Sequence, residues 1–205
     1  MPILKREPDV YPGSLFELPL NALPWWVAHV RSRQEKGLSR YLHHFEVPFY
    51  LPVREQNRRR DGRTVTSFLP LFPGYVFFRG TREDRLRALQ SELLVRVIDV
   101  RDQAELEQEL RQLHALQEMG LPMTPHPYLG PGAAVRILEG PFAEYRGVVL
   151  RAKGKARLVV SVTMLQRSVA VELNRENLER FSSPRVLDTV TAPSSADKNR
   201  RPPCP

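Results

Sequence analysis

The sequence predicts an α+β domain followed by a small all-β domain. Three observations support this. From residue 25 to 119 the apolar residues switch repeatedly between a period near two and one near 3.6. A Pro/Gly-rich stretch, residues 120–131, then interrupts all periodicity. Beyond it, residues 132–181 alternate at a period of two only.

The opening 24 residues carry Pro2, Pro8, Pro12, Pro19 and Pro24 and hold no period, so a flexible lead-in is expected. Trp25 to Val30 reads as the first strand. Ser32 with Glu35 three residues on has the form of a capping box. Leu38, Tyr41, Leu42 and Phe45 then follow the spacing of an amphipathic helix, which Pro48 closes. Two extended segments come next, Phe49 to Glu55 and Thr64 to Leu69. They flank an Arg-rich loop whose Asp61-Gly62 step is a hairpin turn signal. Phe72-Pro73-Gly74 turns the chain into a strand at Tyr75 to Phe78. Thr81 caps a short helix bearing Leu86, Leu89 and Leu93, and Val95 to Val100 is extended. Asp102 and Glu105 form a second capping box ahead of Leu106, Leu110, Leu113 and Leu116 on one helical face. The order β-α-β-β-β-α-β-α with short connections argues helices packed on a mostly antiparallel sheet.

After the proline-stiffened linker, alternation at Val135/Ile137, Gly147 to Ala152, Leu158/Val160/Val162 and Val169/Val171/Leu173 gives four strands. A short fifth is expected at Leu178 to Phe181, enough for a small barrel. These segments are β-branched and Gly-punctuated, which suits strands and not a helical hairpin. Residues 182–205 are polar and Pro/Ser/Ala-rich, the composition of disorder.

Composition narrows the function classes. Lys+Arg 31 against Asp+Glu 23 leaves a net charge of +8, which favours polyanionic surroundings. The single cysteine, Cys204, excludes an intramolecular disulfide and a Cys-based zinc site. No apolar run approaches the roughly 20 residues that span a bilayer, and the N-terminus lacks a signal-peptide pattern, so the cytoplasm is expected. His29, His43, His44, His114 and His126 make no metal-ligand spacing, and no phosphate loop or nucleophile constellation stands out. A non-enzymatic monomer without metal or cofactor is the expectation.

Two segments carry a family resemblance. Trp25-Trp26-Val27, the Glu-bearing first helix, Leu51-Pro52-Val53-Arg54-Glu55 and Leu71-Phe72-Pro73-Gly74-Tyr75-Val76-Phe77 resemble the NusG N-terminal (NGN) domain. Gly132 to Ile137, Gly140-Pro141-Phe142, Tyr145-Arg146-Gly147-Val148-Val149 and Val171-Glu172-Leu173 resemble a KOW domain, an SH3-like β-barrel. The implied layout is residues 25–119 NGN-like, 120–131 linker and 132–181 KOW. The resemblance implies a transcription elongation factor whose NGN domain grips the clamp helices of RNA polymerase and favours processive elongation. Its KOW domain would recruit Rho or a ribosomal protein.

On that resemblance, and because strand residues alternate in facing, Tyr75 and Phe77 are assigned to the polymerase side with Trp26 as their neighbour. Val76 and Phe78 are assigned to the core. Arg31, Arg33 and Arg40, with the hairpin's Arg58, Arg59, Arg60 and Arg63, are assigned to phosphates of the non-template DNA strand. Phe142, Leu165, Gln166 and Arg167 are the expected KOW partner surface. Where housekeeping members carry Ile-Phe-Gly-Arg, this chain reads Met164-Leu165-Gln166-Arg167, which puts Rho binding in question. The favoured reading is a specialised antitermination factor. A housekeeping factor in Rho-dependent termination and transcription–translation coupling, or a ribosome-associated KOW RNA binder, stays open beside it.

Overall fold

Two antiparallel sheets and a separate two-stranded ribbon organise the described residues. The computed structural model describes residues 8–19, 22–60, 63–128, 135–136, 146–152 and 155–173. The first sheet joins β1 (Val10–Tyr11), β3 (Phe49–Tyr50), β6 (Tyr75–Arg79), β2 (Trp25–Val30) and β7 (Leu94–Asp99), in that order across the sheet. Strands β4 (Val53–Arg60) and β5 (Arg63–Pro70) form the ribbon.

Side chains alternate across β2 and β6, and each face of the sheet has its own cover. Ala28, Val30, Val76 and Phe78 pack in one buried cluster with Leu38 and Leu42 of α1 (Glu35–His44) and Ala88 of α2 (Arg82–Gln90). Trp25, Val27 and Phe77 lie in another, under Leu106, Leu110, Leu113 and Leu116 of α3 (Gln103–Glu118). Each such fully buried leucine stabilises by about 1.5–3 kcal/mol, so α3 is anchored by its apolar stripe. The expected α+β layer is therefore present, with helices on both faces.

Four local expectations need correction. Residues 10–19 are not a loose lead-in: β1 pairs with β3, and Phe16 packs on Trp25, Tyr50 and His114. Ser32 does not cap α1; the helix starts after Gln34 with no side-chain cap, because Glu35 turns inward and accepts a hydrogen bond from the Gly74 amide at 2.8 Å. Thr81 and Asp84 do form a reciprocal capping box, whereas Asp102 supplies only its own half, accepting from the Glu105 amide at 2.8 Å. On α2, Leu86 and Leu89 are 55 % and 38 % exposed, and the small Ala88 makes the buried contact.

The hairpin is longer than its loop signal suggests. Strand pairing runs from Val53↔Pro70 to Arg60↔Arg63, so the arginines read as loop belong to the strands, and the Asp61-Gly62 step itself lies outside the described residues.

The second sheet has the order β8-β12-β11-β10-β9, built from Met123–His126, Arg167–Leu173, Lys155–Val162, Arg146–Ala152 and Val135–Arg136 respectively. Its β8 comes from the segment read as linker. Pro125 is tolerated there because, among the described residues, β8 lies at the sheet edge and pairs on one side only. The strand expected at Leu178 to Phe181 and the tail 182–205 lie outside the described residues. Gly147 is required by a close approach: a Cβ there would sit 2.5 Å from the Val159 carbonyl oxygen.

Candidate functional site

The turn Phe72-Pro73-Gly74-Tyr75 is held from three sides. Gly74 has φ +89°, a left-handed conformation that favours glycine. Its amide donates to Glu35, and its carbonyl accepts from the Val30 amide at 2.9 Å. Tyr75 emerges at the end of this fixture, half-buried, with its ring stacked on His29 at 5.2 Å between centroids. A rigid, partly exposed aromatic beside a second ring has little rotamer entropy left to lose on contact.

Phe77 and Trp26 do not share that position. Phe77 is 0 % exposed and lies edge-on to Phe72 at 6.1 Å, so it is core. Trp26 pairs with Phe78, which places it on the opposite face of the sheet from Tyr75 and near the other end of β2. Its indole N–H donates to the Gly80 carbonyl at 2.9 Å, and the Arg85 guanidinium lies 5.3 Å from the ring centroid. Alternation correctly separated Tyr75 and Phe77 from Val76 and Phe78. It could not show that α3 roofs over Phe77.

The basic residues fall into two groups. Arg31 and Arg33 are exposed in the connection from β2 to α1, and Arg40 is exposed on α1. Since the Val30 amide is bonded to Gly74, this first group begins one residue from the Tyr75 turn. Arg58, Arg59 and Arg63 are exposed along the ribbon, and Arg60 is part of its strand β4. Arg54, which the sequence reading left without an assigned role, belongs to the same strand.

Of the expected second-domain surface, Phe142 lies outside the described residues. Thr163–Leu165 is a 3-10 turn, and Leu165 packs half-buried against the cluster that includes α3. Gln166 follows in the left-handed region at φ 50°, ψ 46°, and Arg167 is exposed. The left-handed backbone explains why a glycine suits that position. Since a side chain there costs about 1–2 kcal/mol, Gln166→Gly is expected to stabilise the second domain by roughly 1 kcal/mol in urea unfolding.

Sequence periodicity gave no sign of the contact between the domains. Glu109 on α3 accepts hydrogen bonds from the Thr163 amide at 3.0 Å and the Thr163 hydroxyl at 2.6 Å. Burial pushes its carboxyl up to about 7, although those two hydrogen bonds pull the other way. Leu158, Val160 and Val162 of β11 continue the same apolar cluster as the α3 leucines. A cavity of about 300 Å³ beside this contact is lined by Asp99, Asp102, Glu105 and Arg101 among others. Its mostly acidic rim is unsuited to nucleic acid. Among the described residues, no group of three or more His, Cys, Asp and Glu is placed to hold a metal, and no helix is long and apolar enough to cross a membrane.

The model of the family NusG, described as transcription termination factor nusG, matches residues 23–113. The chain is 30 % identical over 149 residues to the transcription termination/antitermination protein NusG of Escherichia coli (strain K12), covering 68 % of this chain and 82 % of that protein. It is 27 % identical over 176 residues to the protein of the same name from Pseudomonas aeruginosa, covering 76 % of this chain and 97 % of that one. A solved structure of Thermotoga maritima NusG, concerned with domain interaction, aligns over 78 % of this chain and 97 % of its own with TM-score 0.44 and 17 % identity. The chain belongs to the NusG family of transcription termination/antitermination proteins.

Proposed function

We propose that this chain binds RNA polymerase through the Tyr75 turn and promotes processive, antiterminating elongation, acting by contact and not by catalysis. The observation that carries the reading is the fixed presentation of Tyr75 by Gly74, Glu35 and His29. Phe77 supports this surface from the core, and Trp26 has no part in it. Arg31, Arg33 and Arg40 lie on the adjoining segment, where they can contact phosphates of DNA held by the polymerase. Two features of the second domain favour antitermination over recruitment of Rho. Leu165 and Gln166 replace the family's aromatic and glycine, and α3 of the same chain packs against this region.

The test is in vitro transcription with matched polymerase and Rho, together with direct binding. The wild-type chain is expected to bind the polymerase and to lengthen transcripts past Rho-dependent terminators. Tyr75→Ala is expected to weaken binding by about 2 kcal/mol, roughly 30-fold, and to lose the lengthening while keeping its circular dichroism spectrum. Unchanged affinity in the folded variant removes Tyr75 from the interface. Transcripts that shorten in the presence of Rho return the chain to the housekeeping reading.

A further inference from the structure

Residues 8–19 form a strap that precedes the segment shared with the family, which starts at residue 23. The strap is held at both ends. At the sheet edge β1 pairs with β3 through two residue pairs, and the Asp9 carbonyl accepts from the Leu51 amide at 2.6 Å. At the other end the Arg79 guanidinium donates to the Pro19 carbonyl at 2.9 Å. Between these anchors Gly13, Ser14 and Glu17 are exposed, while Leu15 and Phe16 are buried.

What the strap covers is an aromatic face. Tyr50 of β3 lies opposite Phe77 of β6, which makes Tyr50 and Tyr75 diagonal neighbours on one side of the sheet, about 7–8 Å apart. The Phe16 ring meets Tyr50 edge-on at 5.2 Å and stacks on Trp25 at 6.1 Å and on His114 at 4.7 Å. Val10 of β1 stands opposite Tyr50 and packs against the same apolar cluster, as does Tyr75 itself. With the strap in place Tyr50 has no exposed surface.

The hold is light. Asp9 accepts a hydrogen bond from the Gln117 side chain of α3, and on the other face of the sheet Tyr11 rests on the His43 ring at 4.6 Å. The His114 ring under Phe16 has its Nδ1 buried with no hydrogen-bond partner among the described residues, so part of this contact is made at a cost. A two-residue strand against such a contact is a segment of low local stability, able to open without global unfolding.

We infer that residues 8–19 are an intramolecular cover of the docking face: they occupy its Tyr50 half, and polymerase engages the whole face only when the strap lifts. The inference rests on the proposed docking through Tyr75 and adds the regulation of that site. The apparent dissociation constant is then the intrinsic one divided by the fraction of chains whose strap is open. Loosening the strap tightens binding until every chain is open.

The test measures the affinity of the full chain for matched core RNA polymerase, with hydrogen exchange at the Leu51 amide reporting on the strap. Phe16→Ala loosens the strap from the docking face, and Tyr11→Ala loosens it from the opposite face, against α1. Both are expected to speed Leu51 exchange and to tighten binding on the order of tenfold, the gain for a strap open in about one chain in ten. Faster exchange with unchanged affinity overturns the inference. So does weaker binding by Phe16→Ala, which makes Phe16 part of the contact and not its cover. Unchanged exchange in both variants also overturns it, since the segment is then a fixed part of the fold. Tyr75→Ala separates the two readings. If it weakens binding while the strap variants leave affinity alone, the cover alone fails; if it binds as the wild type does, docking through Tyr75 fails and the cover with it.

Discussion

Glu107→Ala is expected to lower the stability of the first domain by about 3–5 kcal/mol, enough to leave much of the chain unfolded at physiological temperature. Glu107 sits on the α3 face turned to the sheet and is 2 % exposed. Its carboxylate accepts the indole N–H of Trp25, pairs with Arg79 at 3.5 Å and holds Arg111 at 2.6 Å. Arg79 is itself fully buried, with its guanidinium 5.4 Å from the Trp25 ring centroid and hydrogen-bonded to the carbonyls of Leu23 and Pro19. Burial lowers the Arg79 pKa and the Glu107 charge supports it, yet an arginine does not escape the cost by losing its proton. Removing Glu107 therefore takes away the carboxylate that stands 3.5 Å from a cation buried in the core. Urea unfolding followed by Trp fluorescence measures the loss. Glu107→Leu with Arg79→Met should recover most of it, because an apolar pair of similar volume carries no desolvation cost. A Glu107→Ala chain within about 1 kcal/mol of wild type would show the network to be dispensable.

The second large effect concerns acidity. Docking of α3 on the second domain should be strongest below about pH 4.5 and weaken as pH rises to about 7, changing little above that. The sign follows from proton uptake. Glu109 titrates near 7 when buried against Thr163, and near 4.5 when the chain is unfolded, so between those values the folded state alone holds the proton. Glu105 and Asp102 add to the upward push through their negative charge. The full effect is up to about 3 kcal/mol. Glu109→Gln keeps an acceptor for Thr163 but does not titrate, so its stability should vary less across this window. Urea melts of both chains between about pH 5 and pH 8 give the comparison. The difference isolates Glu109 from His114, whose buried ring has a lowered pKa and so opposes acidification. A wild type and a Gln variant that run parallel would place Glu109 in solvent.

Much of the first domain was legible because its signals are local. The α3 leucines, the Thr81 cap and the Phe72-Pro73-Gly74 turn each rest on a few neighbouring residues. The departures come from contacts distant in sequence. Glu35 looked like the second half of a capping box, but its partner is Gly74, thirty-nine residues on. Phe77 alternates correctly with Val76, yet alternation gives a face and says nothing of what covers it. Phe16 and β1 were hidden among prolines because two residues are too few to show a period. The Arg-rich segment read as loop since arginine has no strong strand preference, whereas pairing with β5 made it strand. The turn that carries Tyr75 was recognisable from its residues, while the Glu109–Thr163 contact has no signature in either segment alone.

Between the last residue of α3, Glu118, and the first of β8, Met123, only Met119 to Pro122 intervene. A connection this short gives the second domain an effective concentration at α3 on the order of millimolar, whatever the concentration of the protein itself. Dilution therefore cannot separate the two halves. Any diffusing macromolecule that needs the Thr163–Leu165 turn competes against a neighbour that never leaves. A competitor present at micromolar levels must bind the turn about a thousandfold more tightly than α3 does to hold half of the molecules. The four-residue tether thus sets a threshold for capture of the second domain, and lengthening it would lower that threshold without altering a single contact.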